Sequence, residues 1–348
     1  MKTVITEANS GDIPEIEQFL DTHPAATAYH KMQWLLAIKQ SYHFDFVYLL
    51  ARSGAQIVGV LPICLFNSIT GKQTFCSLPF CDVGGPIAHS AVAQQALIDH
   101  ATEKMQKLNC QGFELRQRAT SPMDDNQMTG RKVSMLLELP KSADLLMKSF
   151  KSKLRSQVRK AEKNGLEFNC VLDDSSIADF YYVYSRNMHS LGSPPHAKQW
   201  FYQVVKHYKN NSLVGRVTFN KQIVGAGILL FNGNNVCIPW ASTLREYNHL
   251  APNMLLYWNL LKASCDRGAT LFDFGRSTYD EGTFKFKQQW GAKPVLLDWQ
   301  YLDSQARPVA QNASENTKTR QLVVSAWKKI PLPLANSIGP RLRRHISL

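Results

Sequence analysis

The chain has 348 residues, 44% of them hydrophobic and 19% charged, with a formal net charge of +13 and a pI near 9.4. That length and apolar content suit two globular domains with substantial cores, and the charge favours polyanionic partners such as nucleic acid, nucleotide-linked substrates or an anionic membrane surface. The longest apolar run, residues 57–66, falls far short of the ~20 residues of a membrane helix. The seven cysteines are odd in number and lack CxxC spacing. With no apolar signal core in MKTVITEANSGD, they read as buried thiols of a cytoplasmic protein.

In chain order, helical patterns over 13–20 and 33–39 precede a β-hairpin. Its strands, 46–52 and 60–66, are joined around Ser53-Gly54, and the second opens on Gln56-Ile57-Val58-Gly59. A helical stretch over 91–108 leads to Gly112-Phe113-Glu114-Leu115-Arg116. The same order then returns. Helical patterns over 177–188 and 198–207 precede a hairpin of 213–219 and 226–231 around Asn220-Lys221, which opens on Gln222-Ile223-Val224-Gly225. A helix over 253–267 leads to Phe272-Asp273-Phe274. Apolar spacing of 3.6 and 2 residues supports these elements.

The order β-α-α-β-β-β-α-β, twice, lacks the glycine fingerprint of a dinucleotide fold. It resembles the GNAT acyltransferase order. The expected fold is therefore α+β: two tandem GNAT-like domains, each a mixed central sheet flanked by helices. The boundaries read 1–140, then 141–303 with a basic helix over 145–164, then 304–348 as a linker and basic amphipathic tail.

The basic helix reads KSFKSKLRSQVRKAEK over 148–163. Lys151, Arg155, Arg159 and Lys163 recur at i+4 and share one face, beside an apolar stripe of Phe150, Leu154 and Val158. Such a row suits a phosphate-rich partner, with Arg155 and Arg159 as the first candidates. The plain alternative is a solvated face with Glu162 and Glu167 nearby. Asn164-Gly165 ends the helix.

No HExxH, cysteine quartet, nucleophile elbow or Walker loop is present, so metal, serine-hydrolase and P-loop chemistry are poor fits and no metal is expected. Residues 240–301 concentrate the candidates. Asp273 and Arg276 flank Gly275 at a strand end, with Ser277 following. Asp273 is either a carboxylate satisfied by backbone amides or Arg276, or a base or anchor for an amine. Lys287, after Phe286 and before Trp290, is either a surface cation–π partner or a stabiliser of an oxyanion or leaving phosphate. Tyr247 and Asn253 sit at a corner before a helix whose start would favour an anion; Asn253 is equally a cap. Trp240 opens the segment and is a candidate substrate contact. Asn187 and His189 precede Leu191-Gly192-Ser193-Pro194-Pro195, a rigid loop suited to lining a cleft. A lone histidine there is more often structural.

Three motifs together resemble the FemAB family of aminoacyl and acyl transferases. They are Lys153-Leu154-Arg155 through Val158-Arg159-Lys160-Ala161-Glu162-Lys163-Asn164-Gly165, then Phe272-Asp273-Phe274-Gly275-Arg276-Ser277, then Phe286-Lys287-Gln288-Gln289-Trp290-Gly291. The match is nearest to FemAB-like proteins of exosortase (PEP-CTERM) and exopolysaccharide systems and covers roughly residues 40–303.

The resemblance implies transfer of an activated group to an amine of a cell-envelope precursor. Aminoacyl-tRNA is the donor, and a peptidoglycan precursor the acceptor, in the better understood members. It implies that Phe286 and Lys287 lie at the transfer centre and that Arg155 and Arg159 meet the acceptor's diphosphate. The long coiled-coil arm of some members is absent. So is the glycine-rich pyrophosphate loop of acetyl-CoA enzymes, replaced by Arg245-Glu246-Tyr247-Asn248-His249-Leu250-Ala251. That disfavours acetyl-CoA as donor.

No cofactor is expected, with a coenzyme A thioester as the alternative co-substrate. The roles follow: Lys287 for the oxyanion or leaving group, Arg276 and Tyr247 as anchors, Asp273 as amine contact or base. The partners are an aminoacyl-tRNA or acyl-thioester donor and a phosphate-bearing envelope precursor. The alternatives are an acyl-CoA-dependent N-acyltransferase and a non-catalytic RNA- or acidic-glycan-binding protein. Residues 322–348, with Leu322, Val323, Val324, Trp327 and late arginines, either contact a membrane surface or pack on their own domain.

Overall fold

The computed structural model describes residues 3–68, 71–121, 123–170, 174–309 and 318–347. Of the expected linker, 310–317 lie outside the described residues. The elements in chain order are β1 (Thr3–Glu7), α1 (Ile13–Thr22), α2 (Met32–Tyr42), β2 (Phe46–Ser53), β3 (Gln56–Asn67), β4 (Gln73–Cys76), β5 (Ile87–Ala88), α3 (Ala91–Lys107), β6 (Gly112–Arg118), α4 (Asp125–Met128) and β7 (Lys132–Glu138). Then follow α5 (Ala143–Ser149), α6 (Ser152–Lys163), β8 (Leu166–Cys170), α7 (Asp174–Leu191), α8 (Lys198–Tyr208), β9 (Ser212–Phe219), β10 (Gln222–Asn232), β11 (Asn235–Thr243), α9 (Pro252–Asp266), β12 (Leu271–Thr278), α10 (Gly282–Gln288), β13 (Lys293–Asp303), α11 (Lys318–Lys329) and α12 (Leu332–Arg343).

The chain divides into two units, one of residues 1–134, 295–313 and 344–348, the other of 135–294 and 314–343. This differs from the division read from sequence: 295–303 and the last five residues belong with the first unit. The reason is pairing. β13 runs antiparallel to β6 from Leu297↔Arg118 to Asp303↔Gly112.

In the first unit the strands run β1-β2-β3-β4-β6-β13, with β5 on β3. Leu49, Leu61, Ile63 and Phe75 face Leu97, Ala101 and Met105 of α3, all at or near zero exposure. In the second unit the order is β7-β12-β11-β10-β9-β8, with α7 and α9 against β9, β10 and β11.

The repeated tetrapeptide has a structural cause. In β3, Ala51 pairs Gly59 and Arg52 pairs Ile57, leaving Val58 as a bulge. In β10, Thr218 pairs Ile223 and Val217 pairs Gly225, leaving Val224 as a bulge. Both copies thus place the extra residue at the same point of a hairpin, where it re-aims the strand. The second hairpin turns through Asn220 and Lys221 at φ 50 and 62, the geometry of a two-residue turn matched to strand twist.

The basic segment is two helices rather than one over 145–164. The chain is extended at Phe150 (ψ 146) and Lys151 (ψ 149). Phe150 turns inward, edge-on to Trp258 at 6.0 Å and Trp290 at 5.5 Å. Burying that ring outweighs continuing the helix. Lys151 therefore sits at the α6 N-cap, so the charged row on α6 begins at Arg155.

The tail takes the packed alternative within its own unit. Trp327 and Ala335 are buried. His189 Nε2 donates to the Ile330 carbonyl at 2.7 Å, and Arg343 Nε donates to His196 Nε2 at 3.1 Å. Gly192 and Gly339 permit this approach: a Cβ on Gly192 would lie 2.5 Å from Val324, and one on Gly339 would lie 2.4 Å from Pro195. Leu322 and Val323 still face outward, 70% and 62% exposed. No helix among the described residues is long and apolar enough to cross a membrane.

One buried histidine makes the first unit pH-sensitive. His30 is fully buried; its Nδ1 accepts from the Thr27 amide at 3.1 Å and its Nε2 donates to the Gly85 carbonyl at 3.0 Å. That pattern is satisfied only by the neutral ring. Burial pushes the pKa down from 6.5 to about 4, opposed by the Gly85 carbonyl. Between those values the unfolded chain binds the extra proton, so stability falls as pH drops from 6.5 towards 4, by roughly 3 kcal/mol for this group. Urea unfolding across that range should show the loss, and His30→Gln should flatten the slope; an unchanged slope would refute the role of this ring.

Candidate active site

The site is built where two parallel strands part. β11 and β12 pair through Asn235↔Leu271, Val236↔Phe272 and Cys237↔Asp273. Beyond that point each strand carries an irregularity. Trp240 pairs Ile228 while Cys237 pairs Leu230, so Ile238 and Pro239 oppose Leu229 alone. Proline has no N–H for a ladder, and a bulge tolerates it. On β12, Gly275 adopts φ 73, a left-handed conformation that favours glycine.

Asp273 braces that kink: its Oδ1 accepts the Gly275 amide at 2.8 Å, as Asp does in local turns. The carboxylate is 6% exposed. Of its two expected roles, the structure displays the backbone-satisfied one.

Lys287 reaches the same place from α10. Its Nζ donates to the carbonyls of Gly275 at 3.0 Å and Arg276 at 2.7 Å, and the residue is 8% exposed. A buried ammonium persists only with such partners, so the charge is held at a fixed point beside the parted strands. Lys287 is therefore not a surface residue. Arg276, half-buried, and Lys287 are thus brought together. Ser277 is 3% exposed, and its hydroxyl has no hydrogen-bond partner.

Aromatic rings hold α10 in place. Tyr257 of α9 stacks on Phe274 at 5.8 Å, meets Phe286 edge-on at 5.0 Å and lies 6.3 Å from Trp290. Burial pushes the Tyr257 hydroxyl up to about 12, so it stays neutral. Phe286 packs in this cluster, which positions Lys287 next to it in sequence.

The other expected site residues divide. Trp240 faces Phe201 at 4.9 Å and Trp200 at 6.2 Å, forming an aromatic wall with α8. Asn187 donates to Ser242 Oγ at 3.1 Å, tying α7 to β11. Asn253 is not the cap of α9: Ala251 is, at φ 61, followed by Pro252. Asn253 lies in the first turn, half-buried. The Tyr247 hydroxyl donates to Gln222 Oε1 at 2.9 Å.

Arg155 donates to the Phe150 carbonyl at 2.8 Å and the Lys148 carbonyl at 3.4 Å. It therefore caps the end of α5, while Arg159 is exposed. His189 holds the tail rather than lining the site, because its ring nitrogen is on the Ile330 carbonyl.

The first unit repeats this architecture with a different filling. There β4 and β6 pair through Phe75↔Phe113 and Cys76↔Glu114, so Glu114 matches Asp273 and Arg116 matches Gly275. Arg116 is 0% exposed. It pairs with Glu114 at 2.7 Å and donates to the carbonyls of Cys81 at 2.8 Å and Ser347 at 3.1 Å. Tyr301 donates to Glu114 at 2.7 Å. Burial works to raise the Glu114 carboxyl, but the Arg116 guanidinium and the Tyr301 hydroxyl hold it below the usual range. This position is plugged by a side chain where the second unit has a glycine. Aligning Phe113-Glu114-Leu115-Arg116 with Phe272-Asp273-Phe274-Gly275 carries the signal that sequence reading passed over.

Residues 148–288 match the family described as an acetyltransferase (GNAT) domain. The fold is similar to that of FemX, with a TM-score of 0.69 at 14% identity over 85% of this chain and 95% of that one. A tandem GNAT protein from the clavulanic acid biosynthesis pathway gives 0.54 at 12% identity over 87% and 99%. The C-terminal domain of a protein assigned as a lysylphosphatidylglycerol synthetase in Agrobacterium fabrum gives 0.53 at 11% over 83% and 92%. No curated protein matches the sequence. The chain thus has the expected tandem GNAT-like α+β fold, similar to that of FemX, and residues 148–288 of its second unit match an acetyltransferase (GNAT) domain.

Two substitutions separate strain from recognition. Gly275→Val should destabilise the protein by about 1–2 kcal/mol, the cost of a left-handed backbone at a residue with Cβ, read as a lowered urea midpoint. Ser277→Ala removes an unpartnered buried hydroxyl and should leave the midpoint unchanged or raised. A lowered midpoint there would show that the hydroxyl is bonded in solution.

Proposed function

We propose that the second unit transfers an activated acyl or aminoacyl group to a primary amine of a phosphate-bearing envelope or exopolysaccharide precursor. The observation that carries this reading is the Lys287 ammonium, fixed on two carbonyls where β11 and β12 part. The amine nitrogen bonds to the carbonyl carbon of an ester or thioester, the C–O or C–S bond breaks, and the amine loses a proton. A fixed cation largely shielded from water stabilises the developing oxyanion or the leaving oxygen. It does so without reorganising at the moment of reaction. Arg276 is the neighbouring anchor for an anionic substrate group. The Ser277 hydroxyl is a further contact, and Asp273 orients the kink and faces the amine.

Aminoacyl-tRNA is the preferred donor. The tight Arg245–Leu250 turn before α9 contains no glycine, and the net charge of +13 suits a polyanion. One structural neighbour is named for lysylphosphatidylglycerol, which favours an aminoacyl group. The family match names an acetyl group, so an acyl-CoA thioester is the competing donor. Arg159, exposed on α6, is the candidate for the acceptor's phosphates, and Tyr247 and Asn253 border the α9 start. No resident cofactor takes part in this scheme. The outward Leu322 and Val323, beside the Lys328 and Lys329 of α11, suit contact with an anionic membrane. That contact would place the reaction at the inner face of the cell membrane.

Purified protein should transfer label from charged tRNA, or failing that from acyl-CoA, to an amine-bearing envelope precursor. Lys287→Met should lower turnover about 10²-fold with an unchanged circular dichroism spectrum. Near-normal turnover would end the assignment, and labelling from no donor would favour a binding protein. Leu322→Ser with Val323→Ser should reduce flotation with anionic vesicles while leaving the tail's packing on Trp327 intact; undiminished flotation would remove the membrane contact.

A further inference from the structure

The second unit contains a cavity of about 960 Å³ that no candidate catalytic side chain lines. Leu137, Leu139, Leu146, Phe150, Leu154 and Trp290 make its walls, each under 9% exposed. Lys151, Lys153 and Lys285 stand around it, against a single carboxylate, Glu138. All three lysines are exposed, and Lys285 lies 3.4 Å from Asp280, a loose surface pair.

The twelve-residue helix α6 begins at this cavity. Its N-cap, Lys151, offers no side-chain acceptor, and its first turn contains no acidic residue. The first amides of a helix are intrinsic anion donors. A second observation points to a ligand independently. Trp290 is 0% exposed, lines the cavity, and its Nε1 has no acceptor. The Gln157 Oε1, also in the lining, is likewise buried without a partner. Buried indole N–H groups are normally satisfied.

We propose that this cavity binds an aliphatic phosphate monoester, the hydrocarbon chain against the leucines and the phosphate at the α6 N-terminus between the three lysines. The class follows from the lining. A bare phosphate would leave the leucine wall uncovered, a neutral hydrocarbon would leave three ammonium groups and a helix start unanswered, and an amphiphile with an anionic head satisfies both. Of the lining, Lys285 and Gln288 belong to α10, the helix that carries Lys287, and Gln289 is its C-cap. Occupancy therefore presses on the element that places the proposed catalytic cation. The site stands whether or not transfer chemistry is found there.

Isothermal titration of the full chain, below micelle concentration, tests it with dodecyl phosphate, farnesyl phosphate, dodecyl maltoside and inorganic phosphate. One or both of the alkyl phosphates should bind at one per chain, and the maltoside and inorganic phosphate should bind at least about tenfold more weakly. Lys153→Glu with Lys285→Glu, both exposed positions, should weaken the alkyl phosphates by about tenfold or more. A diazirine at the chain terminus should crosslink within residues 137–154 or 285–291. Equal binding of the maltoside, indifference to the lysine pair, or crosslinks confined to other segments would each overturn the proposal.

Discussion

The second unit is organised by one arrangement: a lysine ammonium accepted by two consecutive strand carbonyls, at Gly275 and Arg276. Strand carbonyls normally face a neighbouring strand. These two are taken by a side chain from α10, beyond the last parallel pair of β11 with β12. The ammonium repays its own dehydration through those bonds. It closes the polar account of a strand end that would otherwise face a gap. Gly275 at positive φ, Asp273 on the Gly275 amide and the Tyr257–Phe274–Phe286–Trp290 rings all maintain that meeting. The kink turns the strand, the carboxylate holds the kink, and the rings fix the helix.

The two units show what one architecture does with different residues at equivalent positions. Both have the same bulge in the same hairpin, and both have a parallel pair ending on Cys opposite an acid. In the first unit the acid is neutralised by Arg116, whose guanidinium also takes carbonyls of the surrounding loops. Dehydrating a buried pair of this kind offsets much of its attraction, and the Arg116 side chain stands where the second unit has Gly275. The two copies thus present different surroundings at the same point of the fold.

Much of the architecture was legible in the sequence because it rests on local rules. Hairpins showed through period-two runs and turn residues, helices through 3.6-residue spacing, and the duplication through one tetrapeptide in matching surroundings. What escaped depended on distant partners. The amphipathic pattern runs through Phe150 without a break; the helix stops because Trp258 and Trp290, more than a hundred positions on, receive that ring. Ala251 at φ 61 is unreadable, since alanine seldom adopts that region. A structural role was the commoner expectation for His189, but its partner was not readable, because the Ile330 carbonyl that accepts its proton lies 141 residues away. Within the candidate site, the Gly275–Arg276–Lys287 grouping was visible as motif. The unpartnered Ser277 hydroxyl and the lysine-rimmed cavity were not, because their surroundings come from separate segments.

The Ser347 carbonyl accepts both the Arg116 guanidinium and, at 2.6 Å, the Phe80 amide, and β13 completes the edge of the first unit at β6. The sheet edge and the buried guanidinium of the first unit therefore rely on residues about two hundred positions later in the chain. Closing loops of that length carries an entropic cost that only the finished contacts repay, so a substitution near Ser347 bears on a unit that is remote from it in sequence.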